Sequence, residues 1–302
     1  MERPKRRLPN ELAALPCITA EPIYRIGDGR RSPSLEGPGF DRSGNFYVCY
    51  TAPDDTTIYR IDPAGTKTTF YHSDAGMTIG FAEHPDGSLF FSDMLRGSIR
   101  VFSPDGQLLR EIFPRYNGHA LRVDCMLFMP SGDLWFTDLS GTAWEPTGGL
   151  YCLPAAGDYA ETVLLFGGLA SPNGLCTAPD GKTVWMVESS RNQLVRLQLD
   201  GRGCILFNQF TPMAVYRNFS RPNLDSIQAD ARGMIYAGVM FGGRAVVLDP
   251  DGIPAANILV PGYEEGRLFY TPNLALHPSG TEGYLVASDE KDACILRFPT
   301  LL

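Results

Sequence analysis

Four side chains that carry an oxygen atom occur at one position of a repeated segment. Glu36, Asp124, Asn173 and Asp225 each stand eight residues before a glycine that ends a turn. If the repeats are equivalent in the fold, these side chains converge, and three converging carboxylates repel one another unless they are protonated or share a cation. Two Asp, one Glu and one amide oxygen suit a hard divalent cation such as Ca²⁺ or Mg²⁺. The pattern predicts a metal site; a polar lining solvated by water is the alternative.

The repeated segment that positions these residues reads as a strand, a turn ending in glycine, and a second strand rich in aromatic and aliphatic residues. Successive turn glycines are 43 to 52 residues apart. The same offset gives Ile79 and Pro272 in the two remaining copies. The six copies are FDRSGNFYVCY (40–50), EHPDGSLFFSD (83–93), FMPSGDLWFTD (128–138), TAPDGKTVWMVE (177–188), QADARGMIYAGV (228–239) and LHPSGTEGYLVASD (276–289).

A second hairpin signal follows the first, so each unit holds about four strands. These signals are IYRIDPAG (58–65), SIRVFSPDG (98–106), GLYCLPAAG (149–157), QLVRLQLDG (193–201), RAVVLDPDG (244–252) and the final strand ACILRF (293–298). Four-stranded units with a period of roughly 40 to 50 residues are typical of β-propellers. We therefore predict an all-β, six-bladed β-propeller with a metal site in its central channel. Residues 1–22 are predicted to form an N-terminal arm, with the strand that closes the ring as the alternative, and residues 23–302 a single catalytic propeller domain.

Composition argues against several classes of protein. The 26 basic and 34 acidic residues give a net charge of −8, which disfavours a nucleic-acid partner. No run reaches the roughly 18 apolar residues that span a bilayer, so no membrane partner is expected. Seven cysteines without a CxxC spacing argue against a disulfide framework, and the basic N-terminus lacks the apolar stretch of a signal peptide. We predict a cytoplasmic protein that is a monomer or a small homo-oligomer.

The residues around the four oxygen donors resemble the motifs of a known family. Their contexts are LEGPGF (35–40), RVDCMLF (122–128), SPNGLCTAPDG (171–181) and LDSIQADARG (224–233). These are similar to motifs of the gluconolactonase and regucalcin (senescence marker protein) family, and most of all to its drug-responsive bacterial lactonase branch. Further similar segments are ITAEP (18–22), FDR (40–42), WFTD (135–138) and GGLY (148–151). The resemblance runs from about residue 18 to the C-terminus and implies a six-bladed propeller with a metal in its channel.

The resemblance also implies roles for individual residues. Asp225 matches the residue that donates a proton in the lactonase branch, and Arg122 matches an arginine that contacts the substrate. Pro172 departs from the family pattern, which has Ser or Ala before the asparagine. The implied cofactor is one divalent cation, most of all Ca²⁺, with Mg²⁺, Mn²⁺, Zn²⁺ and Fe²⁺ as alternatives. The positions that match metal ligands are Glu36, Asp124, Asn173, Asp225 and Ser226.

The chemistry expected of such a site is metal-dependent hydrolysis of a small lactone to its hydroxy acid. A bound cation polarises the ester carbonyl and stabilises the oxyanion that forms when water attacks. A carboxylate beside it can take a proton from the water and return it to the leaving alkoxide. Asp225 and Asp124 are the two candidates for this catalytic role. No organic cofactor is required, and the partner is a small-molecule lactone.

Two other functions remain open from the sequence. One is a different metal-dependent esterase or a phosphotriesterase on the same site, because substrate choice lies in the loops at 115–122, 143–149, 210–222 and 262–271. The other is a non-catalytic propeller that binds proteins. The chain has neither the GxSxG motif of serine hydrolases nor a GxGxxG motif in a strand-to-helix context.

Overall fold

Short strands make up almost all regular structure in the computed structural model of the chain, which describes residues 5–26, 34–52, 55–207, 213–217 and 223–301. Within these ranges, helical structure is confined to α1 (Asn10–Ala13) and to two 3₁₀ turns, Ala155–Gly157 and Ser189–Arg191. Among the same residues no helix is long and apolar enough to cross a membrane. The prediction of an all-β chain is confirmed.

The strands follow one another in groups of four. Two short N-terminal strands come first, β1 (Cys17–Thr19) and β2 (Glu21–Arg25). Sheet 1 contains β3 (Ser34–Phe40), β4 (Phe46–Ala52), β5 (Asp55–Ile61) and β6 (Lys67–Ser73). Sheet 2 contains β7 (Thr78–Glu83), β8 (Leu89–Asp93), β9 (Ser98–Phe102) and β10 (Leu108–Ile112), and is followed by the small hairpin of β11 (Arg115–Tyr116) and β12 (His119–Ala120).

Four further sheets complete the described chain. Sheet 3 contains β13 (Val123–Phe128), β14 (Leu134–Asp138), β15 (Gly148–Leu153) and β16 (Val163–Leu169). Sheet 4 contains β17 (Pro172–Thr177), β18 (Thr183–Glu188), β19 (Gln193–Gln198) and β20 (Met213–Arg217). Sheet 5 contains β21 (Leu224–Ala229), β22 (Ile235–Val239), β23 (Arg244–Leu248) and β24 (Pro254–Leu259), and sheet 6 contains β25 (Leu274–Leu276), β26 (Glu282–Ser288) and β27 (Ala293–Pro299).

The N-terminal strands join the last two sheets rather than forming a separate element. β1 pairs with β24 in parallel, with Cys17 opposite Asn257, and so adds a fifth strand to sheet 5. β2 pairs antiparallel with β27 and supplies the fourth strand of sheet 6. The segment predicted as an arm therefore contains a strand of sheet 5 and the beginning of a strand of sheet 6.

The turn glycines explain why each first strand reverses into the second. In the first repeat, the Gly44 N–H donates to the carbonyl of Asp41, and the Asp41 carboxylate accepts the N–H groups of Ser43 and Asn45 at 2.9 Å. This geometry requires a positive φ, which glycine adopts without strain. All six predicted turn glycines have it, with φ between 62° and 92°: Gly44, Gly87, Gly132, Gly181, Gly233 and Gly280.

The chain divides into two compact units. The first unit comprises Glu36–Leu175 and Met186–Arg191, and the second comprises Met1–Leu35, Cys176–Trp185 and Asn192–Leu302. Aromatic side chains dominate the core of the first unit, where Phe90 and Phe136 are fully buried. The core of the second unit packs aliphatic residues around the stacked rings of Tyr236 and Phe298.

Candidate metal and catalytic site

The predicted site residues stand near the start of the first strand of four sheets, and all of them are buried. Ile79 has the same place in β7, whereas Pro272 lies two residues before β25. The eight-residue offset in the sequence thus located the strand starts correctly. The site residues are Glu36 in β3, Asp124 in β13, Asn173 in β17, and Asp225 with Ser226 in β21.

Within the first unit, hydroxyl groups on the second strands fix the backbone at two site positions. Ser92 Oγ, in β8, donates a 2.8 Å hydrogen bond to the carbonyl of Asp124. Thr137 Oγ1, in β14, donates a 2.9 Å bond to the carbonyl of Asn173 and accepts the N–H of Cys125 at 3.1 Å. Each hydroxyl therefore joins its own sheet to the first strand of the next. Neither residue was predicted from the sequence, although both stand five residues after a turn glycine.

Acidic residues at the ends of second strands also hold the backbone that leads into a first strand. Asp138 Oδ1 accepts the backbone N–H of Arg122 at 2.8 Å and the hydroxyl of Ser140 at 2.9 Å. The carboxylate thereby holds the segment that leads into β13 and Asp124. Two other sheets have the same arrangement: Asp93 accepts the N–H of Met77 at 2.9 Å, and Glu188 accepts the N–H of Ala170 at 2.8 Å.

The electrostatics of the first unit disfavour additional negative charge. Burial raises the pKa of Asp124 to about 7, and the positive charge of Arg122 opposes this shift. Burial also raises the pKa of the Cys49 thiol, with a further contribution from the charges of Glu36 and Asp93. Buried carboxylates in such surroundings bind either protons or a cation.

Arg122 is the predicted substrate contact. Its side chain is exposed, and its Nη2 lies 3.4 Å from the sulfur of Met94. In the part of the chain that the structure describes, the guanidinium forms no ion pair with a carboxylate.

The side-chain oxygen of Asn173 indicates whether these residues suit a metal ion. Its Oδ1 is buried and has no hydrogen-bond partner among the described residues. A buried acceptor without a partner is costly, and an amide oxygen is a good ligand for a hard cation. Among the described residues, no group of three or more His, Cys, Asp or Glu side chains is arranged to hold a metal ion. The amide oxygen of Asn173 and the buried carboxylates are chemically suited to a hard cation. The metal site that they would form stays a prediction.

In the second unit, Ser226 is the better defined of the two predicted residues. Its N–H and its hydroxyl both donate to the carbonyl of Pro272, at 3.2 Å each. The hydroxyl proton is therefore directed to the backbone, which leaves the lone pairs of Oγ for another partner. Asp225 is buried beside it.

The loops predicted to determine substrate specificity differ in structure. Loop 115–122 contains the hairpin of β11 and β12. Of loop 210–222, residues 213–217 form β20, and 210–212 and 218–222 lie outside the described residues. Loop 262–271 lines a pocket of about 300 Å³ together with residues 289–291. None of the predicted site residues lines this pocket.

Comparison with known proteins identifies first the fold and then the family. The structure is similar to the calcium-binding protein regucalcin of Agrobacterium tumefaciens, with a TM-score of 0.72, 20% identity, and coverage of 95% of this chain and 97% of that one. It is equally similar to a gluconolactonase of Xanthomonas campestris, with a TM-score of 0.73, 18% identity and 98% coverage of both chains. The predicted six-bladed β-propeller is confirmed.

Residues 36–265 match the model of the SMP-30/gluconolactonase/LRE-like region, and the chain belongs to this family. Its curated relatives include lactonase drp35 of Staphylococcus epidermidis, 26% identical over 281 residues, which cover 91% of this chain and 84% of the relative. Lactonase drp35 of Staphylococcus aureus is 27% identical over 282 residues, with the same coverage. The predicted resemblance, and with it an enzyme of the lactonase and gluconolactonase type, is confirmed.

Proposed function

We propose that this protein is a metal-dependent lactonase that hydrolyses a small lactone to its hydroxy acid. Family membership and relatives named lactonase or gluconolactonase support the reaction class. The cation proposed is Ca²⁺, supported by the regucalcin neighbour, which is a calcium-binding protein. A cytoplasmic location is also proposed, because Cys17 and Cys204 are exposed thiols, as is usual in a reducing compartment.

The observation that carries the proposal is the buried, unpartnered Oδ1 of Asn173 at the same strand register as three buried carboxylates. A scaffold that only binds proteins has no need to leave this amide oxygen without a donor, because water-inaccessible acceptors lower stability. The residues proposed to hold the cation are Glu36, Asp124, Asn173, Asp225 and Ser226.

The bound cation would polarise the ester carbonyl of the substrate and stabilise negative charge on its oxygen. We assign Asp225 as the residue that takes a proton from the attacking water and returns it to the alkoxide of the opened ring. Asp124 is assigned to hold that water by accepting its second hydrogen bond. Arg122 is assigned to orient the substrate with its exposed guanidinium, and the Asp138 carboxylate holds its backbone N–H just before β13.

Removal of the metal tests the proposal. Protein treated with a chelator and dialysed should lose hydrolysis of δ-valerolactone, and added CaCl₂ should restore it. Because the cation binds the folded state, it should also raise the melting temperature. Full activity of metal-free protein would contradict the mechanism.

A matched pair of variants separates the ligand role of Asn173 from general damage to the fold. Asn257 is also buried with an unpartnered Oδ1 but lies outside the register of the site. Asn173→Ala should lower the calorimetric affinity for Ca²⁺ at least about tenfold, in line with the usual effect of losing groups at a metal site. Asn257→Ala should leave that affinity unchanged, and equal affinities in the two variants would contradict the assignment.

A further inference from the structure

Trp144 is the most exposed large apolar side chain in the part of the chain that the structure describes, at 95% of its full surface. The other two tryptophans, Trp135 and Trp185, are buried. A tryptophan is costly to leave in water because it carries a large apolar surface. Single exposed apolar residues are common, so the position of Trp144 must decide whether it has a function.

The turn that carries Trp144 is held rigidly. The N–H of Thr142 donates to the carbonyl of Glu145 at 2.9 Å, and the N–H of Glu145 donates to the hydroxyl of Thr142 at 3.0 Å. Two hydrogen bonds therefore close the chain around Trp144 on both sides. Its backbone is preorganised, which lowers the entropic cost of a contact with a ligand.

The base of this turn is attached to the strand that carries Asn173. The carbonyl of Ser140 accepts the N–H of Ser171 at 2.9 Å, and the carbonyl of Gly141 accepts the Ser171 hydroxyl at 2.6 Å. On the returning side, a Cβ at Gly148 would overlap Ser140 O and the ring of Pro172. Both ends of the turn thus pack against the two residues that precede Asn173.

A second exposed apolar residue lies in a turn that also contacts the segment before β13. Leu95 is 66% exposed in the turn between β8 and β9. A Cβ built at Gly97 would lie 3.0 Å from the carbonyl oxygen of Leu121, and the sulfur of Met94 lies 3.4 Å from Nη2 of Arg122. On the Trp144 side, the N–H of Leu139 donates to the carbonyl of Arg122 at 3.0 Å, so the segments that lead into both turns contact Arg122, two residues before Asp124.

We propose that Leu95 and Trp144 contact an aliphatic substituent on the lactone ring, so that the preferred substrates are alkyl-substituted lactones; this inference rests on the proposed lactonase function. Both side chains are apolar and offer the substrate almost no hydrogen bonding, whereas specificity for a polyhydroxy sugar lactone requires groups that pair with its hydroxyls. Burying an alkyl chain against them removes apolar surface of both partners from water. The rest of the site acts on the ring carbonyl.

Three δ-lactones with the same six-membered ring test this specificity. δ-Decalactone carries a pentyl chain that δ-valerolactone lacks, and δ-gluconolactone carries hydroxyl groups. With saturating CaCl₂, the wild type should hydrolyse δ-decalactone with a kcat/KM at least about tenfold above that for δ-valerolactone. Trp144→Ala should lower this ratio at least about tenfold, and Trp144→Phe should retain most of it because an apolar ring remains.

Leu109→Ala is the matched control. Leu109 is an apolar residue of the same unit that is 53% exposed in β10, and its replacement should leave both rates and their ratio unchanged. If the wild type hydrolyses δ-decalactone and δ-valerolactone but Trp144→Ala keeps the wild-type ratio, or if δ-gluconolactone is preferred, the inference is wrong and the lactonase function stands. If the wild type hydrolyses none of the three lactones, the proposed function itself is wrong.

Fluorescence quenching gives a second readout that does not require turnover. Because Trp144 is the exposed member of three tryptophans, acrylamide should quench mainly its emission. The cyclic ether 2-pentyltetrahydropyran has the ring and the chain but no ester to hydrolyse. It should protect the wild type from quenching, and unsubstituted tetrahydropyran should not. Equal protection by the two ethers would contradict the contact.

Discussion

The carboxylate of Asp138 accepts a 2.8 Å hydrogen bond from the backbone N–H of Arg122, two residues before Asp124. Asp138 ends β14 and lies opposite Val123 at the start of β13, so the bond closes the open end of this strand pair. The same oxygen accepts the hydroxyl of Ser140. One buried carboxylate therefore fixes both the approach to Asp124 and the base of the turn that carries Trp144.

Replacement of this carboxylate should destabilise the protein. Asp138→Ala removes the acceptor of two partly buried hydrogen bonds, from the Arg122 N–H and the Ser140 hydroxyl, and losing hydrogen bonds to a charged group usually costs about 1–3 kcal/mol. Urea denaturation should show this loss in the free energy of unfolding, and Asp138→Asn, which keeps an acceptor oxygen, should recover part of it. Asp74→Ala removes a carboxylate that is almost fully exposed and should change stability by less than about 0.5 kcal/mol. A similar loss in both Ala variants would contradict the positioning role of Asp138.

A methyl group at Gly80 should disturb the spacing of β7 and β13. A Cβ at this position would overlap the carbonyl of Asp124 and the hydroxyl of Ser92. Overpacking of this kind typically costs about 1–3 kcal/mol, and here it also displaces the backbone of a proposed ligand. Gly80→Ala should therefore lower both the free energy of unfolding and the calorimetric affinity for Ca²⁺.

Gly157→Ala is the control for this prediction, because a Cβ there would meet no atom within 4 Å and the backbone does not have a positive φ. It should retain the stability and affinity of the wild type. Should Gly80→Ala also behave like the wild type, the first strands must tolerate a wider spacing than the structure indicates.

The fold could be predicted because its local signals repeat. A turn such as that at Gly44 requires a positive φ, which few residues other than glycine adopt at low cost, and the strand before it has a fixed length. The offset from that glycine therefore placed Asp124 and Asn173 at the second residues of their strands. Each strand–turn–strand segment is a weak signal alone, but its recurrence in six copies made the prediction of a propeller specific.

Contacts between distant parts of the chain could not be predicted in this way. The parallel pairing of Cys17 with Asn257 joins residues at opposite ends of the sequence and has no local pattern. The bond from Thr137 to the carbonyl of Asn173 depends on which sheets are neighbours. Trp144 gave no signal either, because exposure is a property of the folded chain and the sequence indicated only a loop.

Asp289 should make the stability of the protein depend on acid pH. Burial raises the pKa of Asp289, but hydrogen bonds from the N–H groups of Leu268 and Lys291 and from the Arg267 side chain outweigh it and hold the pKa at about 2. The unfolded chain has a higher value, about 3.9, so the unfolded state binds more protons between these values. The stabilisation is therefore complete above about pH 4 and is lost as the pH falls towards 2.

The difference in unfolding free energy between the wild type and Asp289→Asn should be largest near pH 6 and should decrease below pH 4. Urea denaturation at pH 6, 4 and 3 measures it. Glu290→Gln removes a charge from the adjacent, exposed residue and should give a difference that hardly changes with pH. A constant difference for Asp289→Asn would mean that its hydrogen bonds do not favour the ionised form.

The last prediction concerns the roles of the three carboxylates at the site register. Asp225→Asn and Asp124→Asn each keep an oxygen that can bind a cation but remove the capacity to transfer a proton. Loss of a general acid or base lowers kcat by about 10²–10⁴-fold, so Asp225→Asn should show a loss of this size on δ-valerolactone at saturating Ca²⁺. Calorimetry should still detect bound Ca²⁺ in that variant. Glu36→Gln makes the same change at a residue proposed only as a ligand, so its activity should recover as Ca²⁺ is increased.

These variants also distinguish the two aspartates from each other. Burial raises the pKa of Asp124 to about 7, and Asp124 is the alternative candidate for the base. If Asp225→Asn retains the wild-type kcat while Asp124→Asn is inactive, the two roles are reversed. If both variants bind Ca²⁺ and keep the wild-type kcat, neither carboxylate transfers the proton, and the water must be activated by a group outside this register.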